Sequence, residues 1–322
     1  MRIGLAFDLQ SDPSDERQAE FDPPPLLDAI EAALASLGHS VLRLGNAEAL
    51  LEAPAAARSA DLVFNLAEGI GARSREAWVP ALLELWGIPF VGSGSRTQLL
   101  ALDKVTTKRL AVSSGVATPA WRVLASPEET PLAEALRFPV IVKPRYEGSG
   151  IGIDPHAVVH SLEGLRRRVE WLVSRFHQPA LVEEFVPFGE LTVFLIGNNP
   201  AANLPVIQRP LDAASRLAWH VSRAADGAPW LCPVDMTPAL EAAAADAAQR
   251  VFEALGCRDM ARADFRVDEQ GGLYFLEINP LPSFDPEGTI GLAAECMGTT
   301  YAALIGRIVD AAAERIERCK IP

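Results

Sequence analysis

Lysine is scarce in this sequence. Only Lys104, Lys108, Lys143 and Lys320 occur among 29 basic residues. Arginine carries the remaining positive charge, so each lysine has some reason to be there. Cysteine is scarce too: Cys232, Cys257, Cys296 and Cys319 are scattered and form no CxxC. That excludes a CxxC metal or redox motif and reads as reduced thiols in a cytoplasmic protein. No apolar run approaches the ~20 residues that span a bilayer, so no membrane partner is expected. The opening Met1–Asp8 segment breaks at Asp8 and reads as a first strand, not a signal peptide. Positive charge is in deficit, with a formal net charge of −13. Such a chain is a poor general binder of nucleic acid or anionic membrane, although a small anionic ligand in a locally basic pocket is still compatible. Charged residues, 22% of the total, form no long runs, which argues against disorder. There is no internal repeat.

What is present is apolar: 49% of 322 residues, enough for cores in two or three subdomains. Strands and helices alternate from the start. Residues 3–7, 41–44 and 61–66 read as strands. Residues 23–37 read as a helix with Leu26, Leu27, Ile30, Leu34 and Leu37 on one stripe, and 75–86 as a second helix ended by Gly87. This rhythm implies a parallel sheet covered by helices. Further on, residues 97–114 read as one helix, 138–143 as a strand, 162–176 as a helix, and 180–186 and 190–196 as strands. Residues 208–231 are polar and irregular and read as a lid loop. An Ala-rich helix over 237–255, a hairpin of 261–267 with 273–278, and a last helix over 300–318 complete the chain. The expected division is 1–95, 96–180 and 181–322.

The hairpin carries the sharpest chemistry. Side chains alternate faces along a strand, so Arg262 shares a face with Asp264, and Glu277 with Asn279. With the turn near Gln270, Asp264 lies opposite Glu277. Two bare carboxylates ~4 Å apart repel by roughly 4 kcal/mol at an effective dielectric of ~20. A divalent cation removes that penalty, and oxygen-only ligands favour Mg2+. A plain charged hairpin face is the alternative. Phe265, Val267, Phe275 and Ile278 favour the site, because they bury the other face and hold the polar one rigid.

Three weaker signals precede it. In Pro139-Val-Ile-Val-Lys143-Pro-Arg-Tyr-Glu147-Gly148-Ser149-Gly150, a strand delivers a lysine and a glycine-rich loop follows. Backbone N–H groups of such a loop can cradle phosphate oxygens. The spacing is neither a Walker A loop nor a Rossmann fingerprint. Ala180-Leu-Val-Glu183-Glu184-Phe185-Val186, with Glu190 following, offers a strand edge, apolar walls and carboxylates for a purine nucleoside, or else an ordinary acidic strand. In Leu102-Asp103-Lys104 the lysine stands early in a helix, within reach of a phosphate.

The order DK, IVKP-x-x-EGS, VEEF-x-x-x-x-E, R-x-D, E-x-N resembles the layout of the ATP-grasp enzymes. Phe64-Asn-Leu-Ala-Glu-Gly69, the segment from Pro80 to Gly94, Leu231-Cys-Pro233 and Leu255-Gly-Cys257 are similar to the D-alanine–D-alanine ligase branch, over about residues 3–312. The resemblance implies an α/β protein with a three-subdomain ATP-grasp fold and an N-terminal Rossmann-like parallel sheet. It implies ATP with two Mg2+ ions, Mn2+ being an alternative, small-molecule carboxylate and amine substrates, and a homodimer. By position, Lys104 and Lys143 bind phosphates, and Ser149 and Gly150 close over them. Glu183, Phe185 and Val186 hold the adenine and Glu190 the ribose, with Glu147 and Glu184 beside the nucleotide in the same motifs. Asp264, Glu277 and Asn279 bind the metal ions, and Arg262 stabilises the charge that builds when an amine attacks an acyl phosphate.

Three segments depart from that branch. The lid carries no lysine or tyrosine, leaving Arg209, Arg216, His220 and Arg223 as its cationic candidates. The N-terminal loop is not glycine-rich, and Glu20 is the best match for the glutamate that meets the first substrate's amine. After Asn279, Ser283 and Gly288 stand where the branch has a turn glycine and a serine. The ATP half therefore matches and the substrate half diverges. The expected activity is amide-bond formation between amino acids, or between a small acid and an amino acid. The alternatives are a true D-alanine–D-alanine ligase and a nucleotide-binding protein without turnover.

Overall fold

A computed structural model describes residues 1–218, 230–232 and 234–319. The first sheet contains β1 (Arg2–Ala6), β2 (Ser40–Gly45), β3 (Leu62–Asn65) and β4 (Phe90–Val91), in the order β2-β1-β3-β4. All its pairings are parallel, as the alternation of strands with helices requires. Its helices are α1 (Pro24–Ser36), α2 (Ala47–Glu52), α3 (Pro54–Arg58) and α4 (Trp78–Trp86). Residues 75–77, expected as the first turn of α4, form a separate 3-10 turn. Helix α4 ends at Gly87, which takes the left-handed conformation that glycine tolerates best.

The stretch 97–114 is not one helix. It splits into α5 (Ser95–Leu102) and α6 (Lys104–Ser113), because Asp103 is extended and its carboxylate accepts from the Val105 N–H. A side-chain acceptor at that point starts a new helix. It also places Lys104 at the first position of α6.

The second sheet is β5 (Trp121–Leu124), β6 (Val140–Pro144), β7 (Val158–Val159) and β8 (Ala180–Glu184), in the order β5-β8-β6-β7. Helix α7 (Leu162–Phe176) packs Leu165, Val169 and Leu172 into its core. The third sheet holds β9 (Gly189–Ile196), β10 (Ala202–Asn203), β11 (Ile207–Arg209), β12 (Met260–Val267) and β13 (Leu273–Asn279). Its path is β10-β9-β12-β13, with β11 also on β9. Helices α8 (Pro238–Leu255), α9 (Thr289–Cys296) and α10 (Tyr301–Cys319) follow. No helix among the described residues is long and apolar enough to cross a membrane.

Packing joins elements that lie far apart in the chain. Strand β8 crosses residue 180 and belongs wholly to the second sheet. Helices α5 and α6 pack on β13 and α8, in the third layer, and α10 packs on α1. One core joins the first and third sheets: Phe284 meets Phe64 edge-on at 5.3 Å and Phe194 at 6.3 Å between ring centres.

A buried ion pair reinforces that junction. Asp259 is fully buried; Arg315 donates to both its oxygens at 2.8 and 2.7 Å, and the Gly92 N–H donates at 2.8 Å. Arg315 also donates to the Phe90 carbonyl at 2.8 Å. Arg315→Met strands a buried carboxylate, and the expected loss is about 3–5 kcal/mol in urea unfolding. A loss below about 1 kcal/mol, the level of an exposed pair, contradicts this role.

Candidate functional site

A cavity of about 650 Å³ opens where the three sheets meet, and the nucleotide, metal and catalytic candidates, from Glu20 and Lys104 to Glu277 and Asn279, line it. The floor comes from the hairpin. Asp264 pairs with Glu277 and Arg262 with Asn279. Strict alternation would put Phe275 on the same face as Glu277. A bulge between Asp264 and Phe265, opposite Leu276, resolves the conflict. Phe275 and Ile278 are buried in the core, while Leu276, Glu277 and Asn279 reach the cavity.

Each acid on the floor already faces a cation. Arg262 donates to Asp264 through Nε at 3.1 Å and Nη2 at 2.8 Å, and the Thr192 hydroxyl donates to the same carboxylate. Lys104 Nζ lies 3.1 Å from Glu277 and donates to the Glu147 carbonyl. Burial alone would raise Glu277, but Lys104, Lys143 and Arg262 outweigh it and bring its pKa down to about 2. Arg145 grips Asp103 with two bonds of 2.7 and 2.6 Å, tying the start of α6 to the glycine-rich loop.

Glu183 and Glu190, expected at the adenine and the ribose, each lie between two cations. The Glu183 carboxylate lies between Lys108 at 3.0 Å and Lys143 at 3.1 Å. Burial pulls Lys108 down to about 8, while the two lysines overcome the burial of Glu183 and hold it below its usual range. Glu190 lies between Arg209 at 2.9 Å and Arg266 at 3.0 Å. Phe185 and Val186, expected within the strand, follow the end of β8 at Glu184 and line the cavity beside them, and Arg266 stacks 5.3 Å from the Phe185 ring centre. Glu184, the next residue after Glu183 on β8, accepts from the Arg137 N–H at 2.9 Å.

The glycine-rich loop is held from the first layer. Glu20 accepts from the Gly148 N–H at 2.9 Å and from Arg75 at 2.6 Å. Ser149 and Gly150 both have positive φ, 46° and 74°. Glu147 accepts from Gln178 at 2.7 Å and lies 3.4 Å from Arg75.

The expected lid is partly strand: Gln208 and Arg209 belong to β11, and Gln208 bridges to Leu231. Arg216 donates to the Pro187 and Phe188 carbonyls at 3.0 and 2.9 Å, so its guanidinium clamps the turn between β8 and β9. His220 and Arg223 lie outside the described residues. Lys108, Arg75, Glu68, Glu76 and Arg266 are not among the sequence candidates. The scarcity of lysine was the available signal for Lys108, four residues after Lys104. Glu68 stands in the Phe64–Gly69 motif, and nothing local marks the others.

Comparison with known proteins agrees with this geometry. A family model described as the D-ala D-ala ligase C-terminus matches residues 110–310. The uncharacterized protein y4sG of Sinorhizobium fredii is 36% identical over 300 residues, covering 90% of this chain and 88% of that protein. The D-alanine–D-alanine ligase of Bordetella petrii is 34% identical over 254 residues, 78% of this chain and 74% of that one. Among solved structures, a D-alanine–D-alanine ligase from Bacillus anthracis has a TM-score of 0.78 at 22% identity, with 99% of each chain covered. VanG D-Ala:D-Ser ligase from Enterococcus faecalis has a TM-score of 0.76 at 17% identity, covering 97% of this chain and 99% of that one. With the cavity, the three sheets and these likenesses in agreement, the chain belongs to the D-alanine–D-alanine ligase family, ATP-dependent carbon–nitrogen ligases of ATP-grasp fold.

Proposed function

We propose that the cavity binds MgATP where the second and third sheets meet and uses it to join a small carboxylic acid to an amine. The observation that carries this reading is the gathering of Lys104, Lys143, Arg262, Asp264, Glu277 and Asn279 around one cavity. Phosphoryl transfer needs positioning and charge neutralisation more than covalent chemistry from the protein. Lys104 and Lys143 are buried cations for phosphate oxygens, and Phe185 and Val186, just beyond β8, offer backbone and apolar side chains for adenine. Arg262, fixed by Asp264, faces the place where negative charge develops in amide formation.

The donor set fits magnesium. Asp264, Glu277 and Asn279 offer only hard oxygen donors, and Glu277 is ionised throughout the working pH range. These three would hold the metal, which when bound would neutralise phosphate charge. Two ions, with manganese as a substitute, and a homodimer complete the reading on family likeness. A D-alanine–D-alanine ligase in the strict sense is the second reading, favoured by the likeness to the Bordetella petrii enzyme.

An ADP-release screen over paired amino acids and organic acids, with mass analysis of products, tests both. Amide product from a pair other than D-alanine supports the first reading; D-alanyl-D-alanine as the dominant product selects the second. Tight nucleotide binding without product from any pair overturns both.

Two variants test the site. Glu277→Gln is expected to fold normally and lose turnover by about 100-fold, with the Mg2+ requirement displaced upward. Near wild-type ADP release across a Mg2+ titration sinks the metal assignment. At Gly148 an added Cβ would come 2.3 Å from Glu20 Oε1. Gly148→Ala therefore expels Glu20 from the loop, and turnover is expected to fall roughly 10- to 100-fold with little change in melting temperature. Unchanged kcat and KM for both substrates would show that the Glu20 contact has no part in the reaction.

A further inference from the structure

We infer that the substrate end of the cavity takes an acyl donor with a second ammonium group, a diamino acid, whose side-chain ammonium is held by Glu68 and Glu76. The inference rests on the ligase reading above. Glu20, Glu68 and Glu76 each place one carboxylate oxygen within 4.8 Å of the other two. All three line the cavity. Two oxygens on one ammonium, each about 2.8 Å from the nitrogen at a tetrahedral angle, stand about 4.6 Å apart, so Glu68 and Glu76 can hold one ammonium between them with Glu20 beside it for a second.

The partners divide unequally. Glu20 is bonded to Arg75 and to the Gly148 N–H. Glu76 is 8% exposed, yet its carboxylate has no hydrogen bond or ion pair among the described residues. A buried carboxylate in that state lacks a bonded cation. Arg75 and Lys104 act on it only through the field: Arg75 is engaged by Glu20 at 2.6 Å and lies 3.4 Å from Glu147, and Lys104 lies 3.1 Å from Glu277. Burial, with Glu20 close by, pushes Glu76 up to about 8 despite Arg75, and burial beside Glu76 and Glu20 raises Glu68 well above the carboxylate range. Asp22, on the same wall, rises to about 8 through burial and Asp8.

A simple amino acid does not answer this charge. It brings one ammonium and one carboxylate, so its net charge is zero. Glu20 suffices for that α-ammonium, which leaves Glu68 and Glu76 in surplus. A second ammonium supplies the missing positive charge and lets both carboxylates ionise in place.

The experiment varies only the acyl donor. ADP release is measured with hydroxylamine as the common nucleophile and alanine, 2-aminobutyrate, 2,3-diaminopropionate, 2,4-diaminobutyrate, ornithine or lysine as donor, in both hands. At least one diamino acid is expected to exceed its neutral counterpart about 10-fold in kcat/KM. Glu76→Gln, nearly isosteric, is expected to erase most of that preference through KM. A preference for neutral donors, or a ratio unmoved in Glu76→Gln with an unchanged melting temperature, overturns the inference. Absence of turnover with every donor would count against the ligase reading, and calorimetry on the intact protein then decides this inference separately. Binding of a diamino acid but not of alanine, lost in Glu76→Gln, upholds it; equal binding, or none, overturns it. Nucleotide-independent Mg2+ binding that Glu76→Gln removes also overturns it, since the cluster is then a metal site.

Discussion

A carboxylate held between two lysines in the dry seam of the second and third layers is the constraint on which the site depends. Glu183, 1% exposed, comes from β8; Lys143 comes from the neighbouring β6, and Lys108 from α6, which packs on the third sheet. Removing Glu183 would leave two buried ammonium groups without their counterion, and removing either lysine would take from the carboxylate one of its two partners, so the three elements are locked together. The group as a whole keeps one positive charge. Glu190 repeats the arrangement on β9, between Arg209 and Arg266. Two such triads give a chain of net charge −13 a locally basic cavity wall.

The third sheet supplies the other half of the site, and its irregularity is what makes the site workable. The bulge at Leu276 lets Phe275 and Ile278 stay in the core while Glu277 and Asn279 turn to the cavity. Beyond Asn279 the chain passes through Phe284, which is sunk between Phe64 and Phe194. The divergent substrate segment is therefore anchored in the core shared by the first and third layers. The acid cluster of Glu20, Glu68 and Glu76 belongs to the first layer and lines the same cavity.

Much of this was legible in the linear chain. Parallel pairing in the first layer follows from strand–helix alternation, and the facing of Asp264 and Glu277 follows from the turn near Gln270. Those inferences rest on short-range rules, period two in strands and 3.6 in helices. The break at Asp103 escaped the same rules because apolar periodicity runs through it, and only its carboxylate cap reveals the restart. Helices α5, α6 and α10 pack on layers distant from them in sequence, which no short-range rule encodes.

The sequence by itself determined the chemical inventory: scarce lysines near Gly-rich and helical motifs, an acid–amide hairpin, and a substrate segment unlike its relatives. Residue types and local spacing suffice for that, since they depend on neighbours two to four positions away. Tertiary structure decided which charges meet. Lys108 reaches Glu183 across 75 positions, Arg75 reaches Glu20 across 55, and Glu76 is left buried with no ion pair or hydrogen bond among the described residues. Such pairings are set by how three layers close on one cavity, where burial makes every unmatched charge costly, and no local pattern encodes that closure.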